Sequence, residues 1–219
     1  MSKKLHFNIE SGRLHITGSP DANERLGNVD LGRGSNIELF VAEDCPVEVH
    51  GDKVEVRVEN IAALEAHIDS GEVEAIDIDG PVEIHADRAN IALDNVQGDV
   101  EIHADSGDVE AIHVSGRVEI NCDSGDVTLQ ATSDRVEINN DSGEVVLDLI
   151  PIGDGARYEV NSDSGAVTVR LPAGIGVYAE LESDSGDILN DVAEGDDVRL
   201  LVHTDSGDIT VLSGVPAFG

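Results

Sequence analysis

The chain has 219 residues, enough for one elongated domain, and its 46 acidic residues against 13 Lys and Arg give a formal net charge of −33. A field of that sign repels nucleic acid and anionic lipid, so neither is an expected partner. No run of about 18 apolar residues that could insert directly into a membrane occurs. The opening MSKKLHFNIE lacks the apolar segment of a signal peptide, so the sequence predicts a cytoplasmic location.

The chain divides into three regions by how regularly it repeats. Residues 1–50 repeat poorly, and we expect them to form irregular first rungs and an N-terminal cap, because an uncovered terminal strand recruits further strands. Residues 51–211 follow a regular repeat and are expected to form the body of the molecule. Residues 212–219, with Pro216 and Phe218, are expected to cover the other end.

A three-residue turn, Asp-Ser-Gly, recurs along the regular part of the chain. Successive turns are separated by 18, 18, 18, 18, 22, 21 and 21 residues. A fixed short period indicates one structural unit stacked on copies of itself. The turns begin at Asp69, Asp105, Asp123, Asp141, Asp163, Asp184 and Asp205, with a degenerate Asp-Arg-Ala copy at Asp87.

Between the turns, aliphatic residues alternate with polar ones, as in Val118-Glu119-Ile120-Asn121. Such alternation is typical of half-buried strands, and no 3.6-residue spacing favours a helix. One repeat is too short to enclose a core, so each must lie on its neighbour, with equivalent residues stacked about 4.8 Å apart. The sequence predicts an all-β, single-domain parallel β-solenoid of about ten rungs, right-handed by the usual chirality of parallel crossovers. Each rung has 18–22 residues.

The turn residues have a local role in this interpretation. Asp and Ser side chains can accept hydrogen bonds from backbone N–H groups just ahead of them, and Gly supplies the positive φ that such corners often need. The degenerate turn has Ala89 at the glycine position, so we expect that corner to be strained or to take a different shape. A column of mixed character, with Ile76, Asp94 and Ile112, leaves open whether each rung is flattened or three-sided.

The strand before each turn carries Glu-x-His in four repeats and Glu-x-Asn in the next three. Because residues i and i+2 share one face of a strand, these side chains form two parallel outward columns. Carboxylate and imidazole suit zinc, nickel or copper, so neighbouring rungs could bind a divalent cation, whereas a surface pattern copied by repeat duplication is the alternative. The candidate metal ligands are Glu48, His50, Glu65, His67, Glu83, His85, Glu101 and His103.

The aspartates that begin the turns form a third column. Stacked carboxylates about 4.8 Å apart repel each other by about 1 kcal/mol per neighbouring pair, even in water. Hydrogen bonds from backbone N–H groups would offset this repulsion, and calcium bound between rungs is the alternative, because hard cations favour carboxylate oxygens. The column comprises Asp69, Asp87, Asp105, Asp123, Asp141, Asp163, Asp184 and Asp205.

Nothing in the repeat singles out a catalytic group. Every full turn carries a Ser without a His at a fixed offset, and inserts such as Ile150–Arg157 are short and turn-like. We therefore predict a non-catalytic scaffold or interaction module without a cofactor, whose surface binds an unidentified protein or envelope component. The two alternatives are a protein that binds a divalent cation weakly and a subunit of a self-assembling filament. We expect a monomer or weak self-association.

The last third of the chain reads YEVNSDSGAVTVRLPAGIGVYAELESDSGDILNDV and then VRLLVHTDSGDITVLSG. The repeated Ser-Gly turn and strand, with Leu171-Pro172 before a Gly-containing loop, resemble the toastrack-like, adhesin-type family of β-strand-repeat domains of unknown function. The resemblance covers residues 50–215. It implies a right-handed solenoid, a link to the cell envelope and membrane-stress responses, and no catalytic residues. A surface location is implied only by this resemblance, and a weaker likeness is to the polymer-forming bactofilins.

Overall fold

The computed structural model describes residues 4–22, 28–153 and 155–214, and this part of the chain contains strands and no helix. Its eighteen strands pair in parallel and wind into about eleven turns, so the predicted all-β parallel solenoid of a single domain is confirmed. The strands are β1 (Leu5–Gly18), β2 (Asn28–Val41), β3 (Pro46–Ile61), β4 (Ala63–Ile78), β5 (Val82–Val96), β6 (Val100–Ser106), β7 (Val109–Ser115), β8 (Val118–Ser124), β9 (Val127–Thr132), β10 (Arg135–Ser142), β11 (Val145–Ile150), β12 (Ala156–Ser164), β13 (Val167–Leu171), β14 (Gly176–Ser183), β15 (Ile188–Asp191), β16 (Ala193–Glu194), β17 (Val198–Ser206) and β18 (Ile209–Ser213).

The backbone of a coil from the middle of the stack has a positive φ angle at three residues. In the coil formed by β6 and β7, positive φ angles occur at Gly107 (124°), His113 (55°) and Gly116 (150°). The bend at His113 is repeated in the three preceding coils by Asn60, Asp77 and Asn95, each with φ near 55°. Asn, Asp and His are the non-glycine residues that enter this left-handed region most readily.

The interior is a set of aliphatic columns that run along the stack. Val73, Ile91, Val109 and Val127 pair in register across successive coils, and each is at most 1% exposed. The columns keep equivalent side chains in contact at the spacing of neighbouring strands, so every coil buries its apolar face against the next. The degenerate corner takes the second expected form, because Ala89 is buried without a positive φ.

Tyr158 is the largest fully buried side chain in the described part of the chain. It occupies the column of Val136, and its hydroxyl donates a hydrogen bond of 2.7 Å to the backbone carbonyl of Ser133. Burial, with a smaller contribution from Asp134, raises the pKa of this phenol well above its usual range. The ring therefore fits a coil that provides one acceptor for its polar end.

The coils at both ends are stacked out of sequence order. β1 lies between β2 and β3, so the first coil in sequence is the second in space. At the other end, β17 lies between β12 and β14, and β18 lies between β13 and β15. The prediction that each rung lies on its sequence neighbour is therefore wrong at the two ends, although it holds between them.

The regions that we expected to act as caps contain regular strands where they are described. β1 and β2 lie within residues 1–50, and Leu212 and Ser213 belong to β18. Pro216 and Phe218, which we expected to cover the second end, lie outside the described residues.

Candidate functional site

The Glu-x-His residues form two adjacent columns on one outward face, as the alternation predicts. Glu48, Glu65, Glu83 and Glu101 pair in register through β3 to β6, and the four His residues two positions later do the same. The Glu column continues with Glu119, Glu137 and Glu159, and the His column continues with Asn121, Asn139 and Asn161. We call this surface the ladder face.

The four imidazole rings of the ladder face are stacked face to face. The ring centroids of His50, His67, His85 and His103 are 4.7, 4.9 and 5.0 Å apart in turn, and the ring planes differ by 3–6°. The Nε2 atom of each ring donates a hydrogen bond to Oε1 of the Glu two residues earlier, at 2.8–3.3 Å. Each imidazole is thus oriented by a carboxylate of its own strand.

Amide side chains extend this column in both directions. Nδ2 of Asn121 lies 3.4 Å from Nδ1 of His103, which can accept its hydrogen bond. Asn139 then donates to Asn121 at 2.8 Å and Asn161 to Asn139 at 2.9 Å. At the first end of the stack, Asn8 donates to Asp30 at 2.7 Å. The column is therefore an almost continuous polar ladder between coils.

Cations neutralise the Glu column at its two ends but not in its middle. Lys4 contacts Glu48 and Glu65, while Arg117 and Arg157 lie 2.7 Å from Glu119 and Glu159 respectively. In the described structure, Glu83 and Glu101 form no ion pair with Lys or Arg, and their only charged or titratable partners are the imidazoles of their own strands.

The neutralised end of the column has an electrostatic signature at Glu48. Hydrogen bonds from Lys4 and then from His50 and His6 lower the pKa of Glu48 to about 2, against the opposing effect of burial. Lys4 also lowers the pKa of Glu65, for the same reason. The Glu48 side chain is 15% exposed, compared with 48% for Glu83 and 52% for Glu101. The middle of the ladder face is accordingly its most accessible and least compensated part.

The ladder face contains no preformed metal centre. Within residues 4–22, 28–153 and 155–214, no three His, Cys, Asp or Glu side chains are arranged to hold a metal ion. Equivalent nitrogen atoms of neighbouring stacked rings lie about one strand spacing apart. This distance is too long for two ligands of one zinc ion, each of which must lie about 2.1 Å from the ion. A cation at Glu83, His85, Glu101 and His103 would therefore require rotation of these side chains.

The turn aspartates also form a column, but their chemistry differs from our expectation. Neither the Asp105 nor the Asp123 carboxylate accepts a hydrogen bond in the described structure. The serine hydroxyl instead donates to the backbone carbonyl of the Asp in the adjacent coil, as Ser124 does to Asp105 at 3.1 Å. Equivalent bonds occur at Ser70, Ser106, Ser142, Ser164, Ser185 and Ser206.

Backbone N–H groups bond to a different carboxylate, that of the residue after the glycine. Oδ1 of Asp108 accepts from the backbone N–H of Asp126 at 3.0 Å, and Oδ1 of Asp126 accepts from that of Glu144 at 2.8 Å. The order of the turn column also differs from the sequence at the second end. Ser206 bonds to the carbonyl of Asp163 and Ser185 to that of Asp205, so Asp205 lies between Asp163 and Asp184.

The residues that neutralise the ladder face were not predicted from the sequence. Lys4 and His6 reach Glu48 because β1 lies directly against β3, which the repeat alone does not reveal. Arg117 could have been found, since it stands two positions before Glu119 and therefore on the same face. A surface depression of about 540 Å³ lies beside the first His residues and is lined by Asn8, Glu10, Asp30, His50, Asp52 and His67 among others.

Comparison with known proteins identifies the family. The model of the Toastrack DUF4097 family matches residues 2–212, and the chain therefore belongs to this family. One similar solved structure is that of a putative cell adhesion protein from Clostridium sporogenes ATCC 15579, with 14% identity, 97% of this chain and 92% of that chain covered, and a TM-score of 0.28. No curated protein matches the chain. The likeness to bactofilins is not shown. Among the described residues, no helix is long and apolar enough to cross a membrane.

Proposed function

We propose that this protein is a non-catalytic scaffold that displays the ladder face to another protein or an envelope component. The observation that carries this proposal is the continuous register of outward polar side chains on a solenoid with a packed aliphatic core. Side chains held by stacking and by hydrogen bonds to their own strand lose little conformational freedom when a partner binds. Membership of the Toastrack DUF4097 family fits such a role.

The region around Glu83 and Glu101 is the proposed centre of the binding surface. The carboxylates of Glu83 and Glu101 have no Lys or Arg partner in the described structure, so no cationic side chain neutralises their negative charge. They lie beside the edges of the stacked imidazole rings. A partner that supplies Lys or Arg would form charge-assisted hydrogen bonds there. We expect a cationic protein surface or a cationic envelope component to be the ligand.

Site-specific photo-crosslinking tests the scaffold proposal. A photoreactive residue at position 85 samples the ladder face, and one at Glu110, an exposed position on another side of the coil, is the matched control. We expect crosslinked products with the envelope fraction of the source cells from position 85 and few from position 110. Equal labelling from both positions, or none from position 85, would contradict the proposal.

Divalent-cation binding is the second candidate, favoured by the same absence of Lys and Arg at Glu83 and Glu101. Calorimetric titration of the whole protein with zinc, nickel and copper tests it, with His85→Asn as the site variant. The control is Asn139→Gln, which lies in the same column beyond the imidazoles. Saturable heat at micromolar metal that disappears only in His85→Asn would support this candidate, and no saturable heat in the wild type would remove it.

A further inference from the structure

The outer edge of β2 is a long strand edge that nothing described covers. β2 pairs with β1 from Asn28 to Val41, and in the described part of the chain it pairs with no other strand. Within the described residues, its outward backbone N–H and C=O groups therefore have no strand partner at the first end of the stack. An uncovered strand edge is a template for pairing with another chain, and proteins usually shorten, charge or cover such edges.

The other end of the stack has short strands, a high charge and a partly covered edge. β15 has only four residues, and β16 pairs with Gly176 and Val177 on the outer edge of β14. Residues 176–197 contain eight Asp or Glu and no Lys or Arg. Exposed apolar side chains also occur there, at Tyr178, Ile188 and Leu189, but they are surrounded by this charge.

The β2 end lacks these protections. β2 has 14 residues and carries only Asp30, Arg33 and Glu38 as charged side chains. Its four inward aliphatic residues pack against the core but stay partly exposed, because no further coil covers them; they are Val29, Leu31, Ile37 and Leu39. Phe40 stands on the same strand and is 59% exposed.

The distribution of charge along the chain indicates which kind of partner can pair with the outer edge of β2. Residues 1–60 contain 11 acidic and 7 basic residues, whereas residues 61–219 contain 35 acidic and 6 basic residues. Two copies that meet through their β2 ends keep their strongly negative parts far apart. Any contact through the second end would place the eight acidic residues of segment 176–197 in the interface. Their electrostatic repulsion would weaken the association.

We propose that two copies of this chain associate through the outer edges of β2, antiparallel and about a two-fold axis. Such an interface uses the same surface on both copies, so it closes as a dimer and does not propagate into a filament. The bend near Gly34 divides β2 into two arms, and the two-fold axis would lay one arm against the other arm of the second copy. This inference goes beyond the scaffold proposal and does not depend on it.

Sedimentation equilibrium of the whole protein over a range of concentrations tests the dimer. Phe40→Glu adds a charge at the proposed interface, and Leu189→Glu is the matched control at the opposite end, where the side chain is 55% exposed. We expect a monomer–dimer equilibrium whose Kd rises about tenfold or more in Phe40→Glu, because buried aromatic side chains dominate interface energies. The Kd of Leu189→Glu should stay within about twofold of the wild type. Both positions are exposed in the monomer, and an unchanged circular dichroism spectrum verifies that each variant folds.

Crosslinking tests the orientation of the two copies. Cys45 and Cys122 are each 2% exposed, so a bis-maleimide reagent should react mainly with an introduced surface thiol. We expect covalent dimers from Asn36→Cys on β2 and none from Asn190→Cys on β15. A monomer at every concentration, weaker association in Leu189→Glu, crosslinking through position 190, or species larger than a dimer would overturn the proposal.

Discussion

At the scale of single residues, the glycines of the Asp-Ser-Gly turns are required by space as well as by backbone conformation. Gly125 has a φ of 140°, and a Cβ at this position would lie 2.2 Å from the carbonyl oxygen of Gly107 in the adjacent coil. The obstacle is backbone that is itself held in the ladder, because Gly107 donates to the carbonyl of Ser124 at 3.0 Å. Neither the added Cβ at position 125 nor the carbonyl oxygen of Gly107 can move without disturbing two coils.

Gly125→Ala should therefore lower the free energy of unfolding by at least about 2 kcal/mol, since both strain and a backbone clash oppose the methyl group. Gly153→Ala is the control, because a Cβ there meets no atom within 4 Å. Urea denaturation of both variants measures the difference. Equal stability of the two would show that the corner can relax, contrary to this prediction.

Lys4 should determine much of the acid sensitivity of the first coils. The pKa of Glu48 in the folded protein, about 2, lies below its ordinary value of 4.5. Its contribution to stability is therefore present above about pH 4.5 and is lost as the pH falls towards 2. Lys4→Met should cost about 1 kcal/mol at pH 7 and progressively less in acid.

Lys53→Met is the matched control, since it removes the same charge from an exposed residue without an ion pair in the described structure. Denaturation curves at several pH values between 2 and 7 measure both variants. If the two variants lost the same stability at pH 7, the contacts of Lys4 with Glu48 and Glu65 would have no specific role.

At the scale of the strand, the inward columns of side chains stabilise the fold, and the outward columns form the surface that is available for binding. Inward positions such as Val109 on β7 are buried between equivalent residues of two neighbouring coils, while Glu101 on β6 points outward and is half exposed. A single column thus links several coils, and a change at one inward position is felt by its neighbours on both sides.

Val109→Asp should unfold its coil locally or reduce the stability by more than about 4 kcal/mol, because it buries a charge without a partner. Glu101→Gln should change the stability by less than about 0.5 kcal/mol. Thermal denaturation followed by circular dichroism compares the two, with hydrogen exchange to locate any opening. Similar effects of both substitutions would contradict the inward and outward assignments.

The columns could be read from the sequence, but the stacking order of the end coils could not. The alternation that marks Val73 and Val109 as inward fixes which face of each strand is buried, and the turn spacing fixes the register between coils. The same pattern is satisfied whether β1 lies outside β2 or between β2 and β3. Hydrogen bonds of the turn serines were also beyond prediction, since a hydroxyl can either donate or accept.

The metal hypothesis shows the same limit at the candidate site. Sequence spacing correctly placed His85 beside His103, yet it contained no information on ring orientation. The rings stack because the Glu residues of their own strands hold them parallel, and this holds their nitrogen atoms away from a shared ion. Which neighbouring carboxylates have a Lys or Arg partner also depends on contacts between distant segments, such as that of Lys4 with Glu65.

At the scale of the whole molecule, electrostatic repulsion opposes the stacking of the coils. A net charge of −33 is carried by a structure in which equivalent carboxylates lie on neighbouring strands. The turn aspartates add to the repulsion, since Asp105 and Asp123 accept no hydrogen bond in the described structure. Repulsion of this kind between exposed charges is reduced by salt.

The melting temperature should therefore rise as the NaCl concentration increases from about 0.05 to 0.5 M, because the screening length falls over this range. Differential scanning calorimetry measures the shift. CaCl₂ at equal ionic strength is the comparison, and a clearly larger rise would indicate specific calcium binding at the turn column. A melting temperature that is constant or falls with NaCl would contradict the importance of repulsion.

The placement of β17 and β18 between coils that precede them in sequence has a consequence for synthesis. While a ribosome is still translating residues 198–213, β14 and β15 lack the strands on which they pack. The nascent chain must hold this segment open, or pair it temporarily with β12 and β13, until the last strands emerge. Completion of the second end must therefore wait until residues 198–213 have left the exit tunnel, whereas coils from β3 to β11 can form in the order in which they emerge.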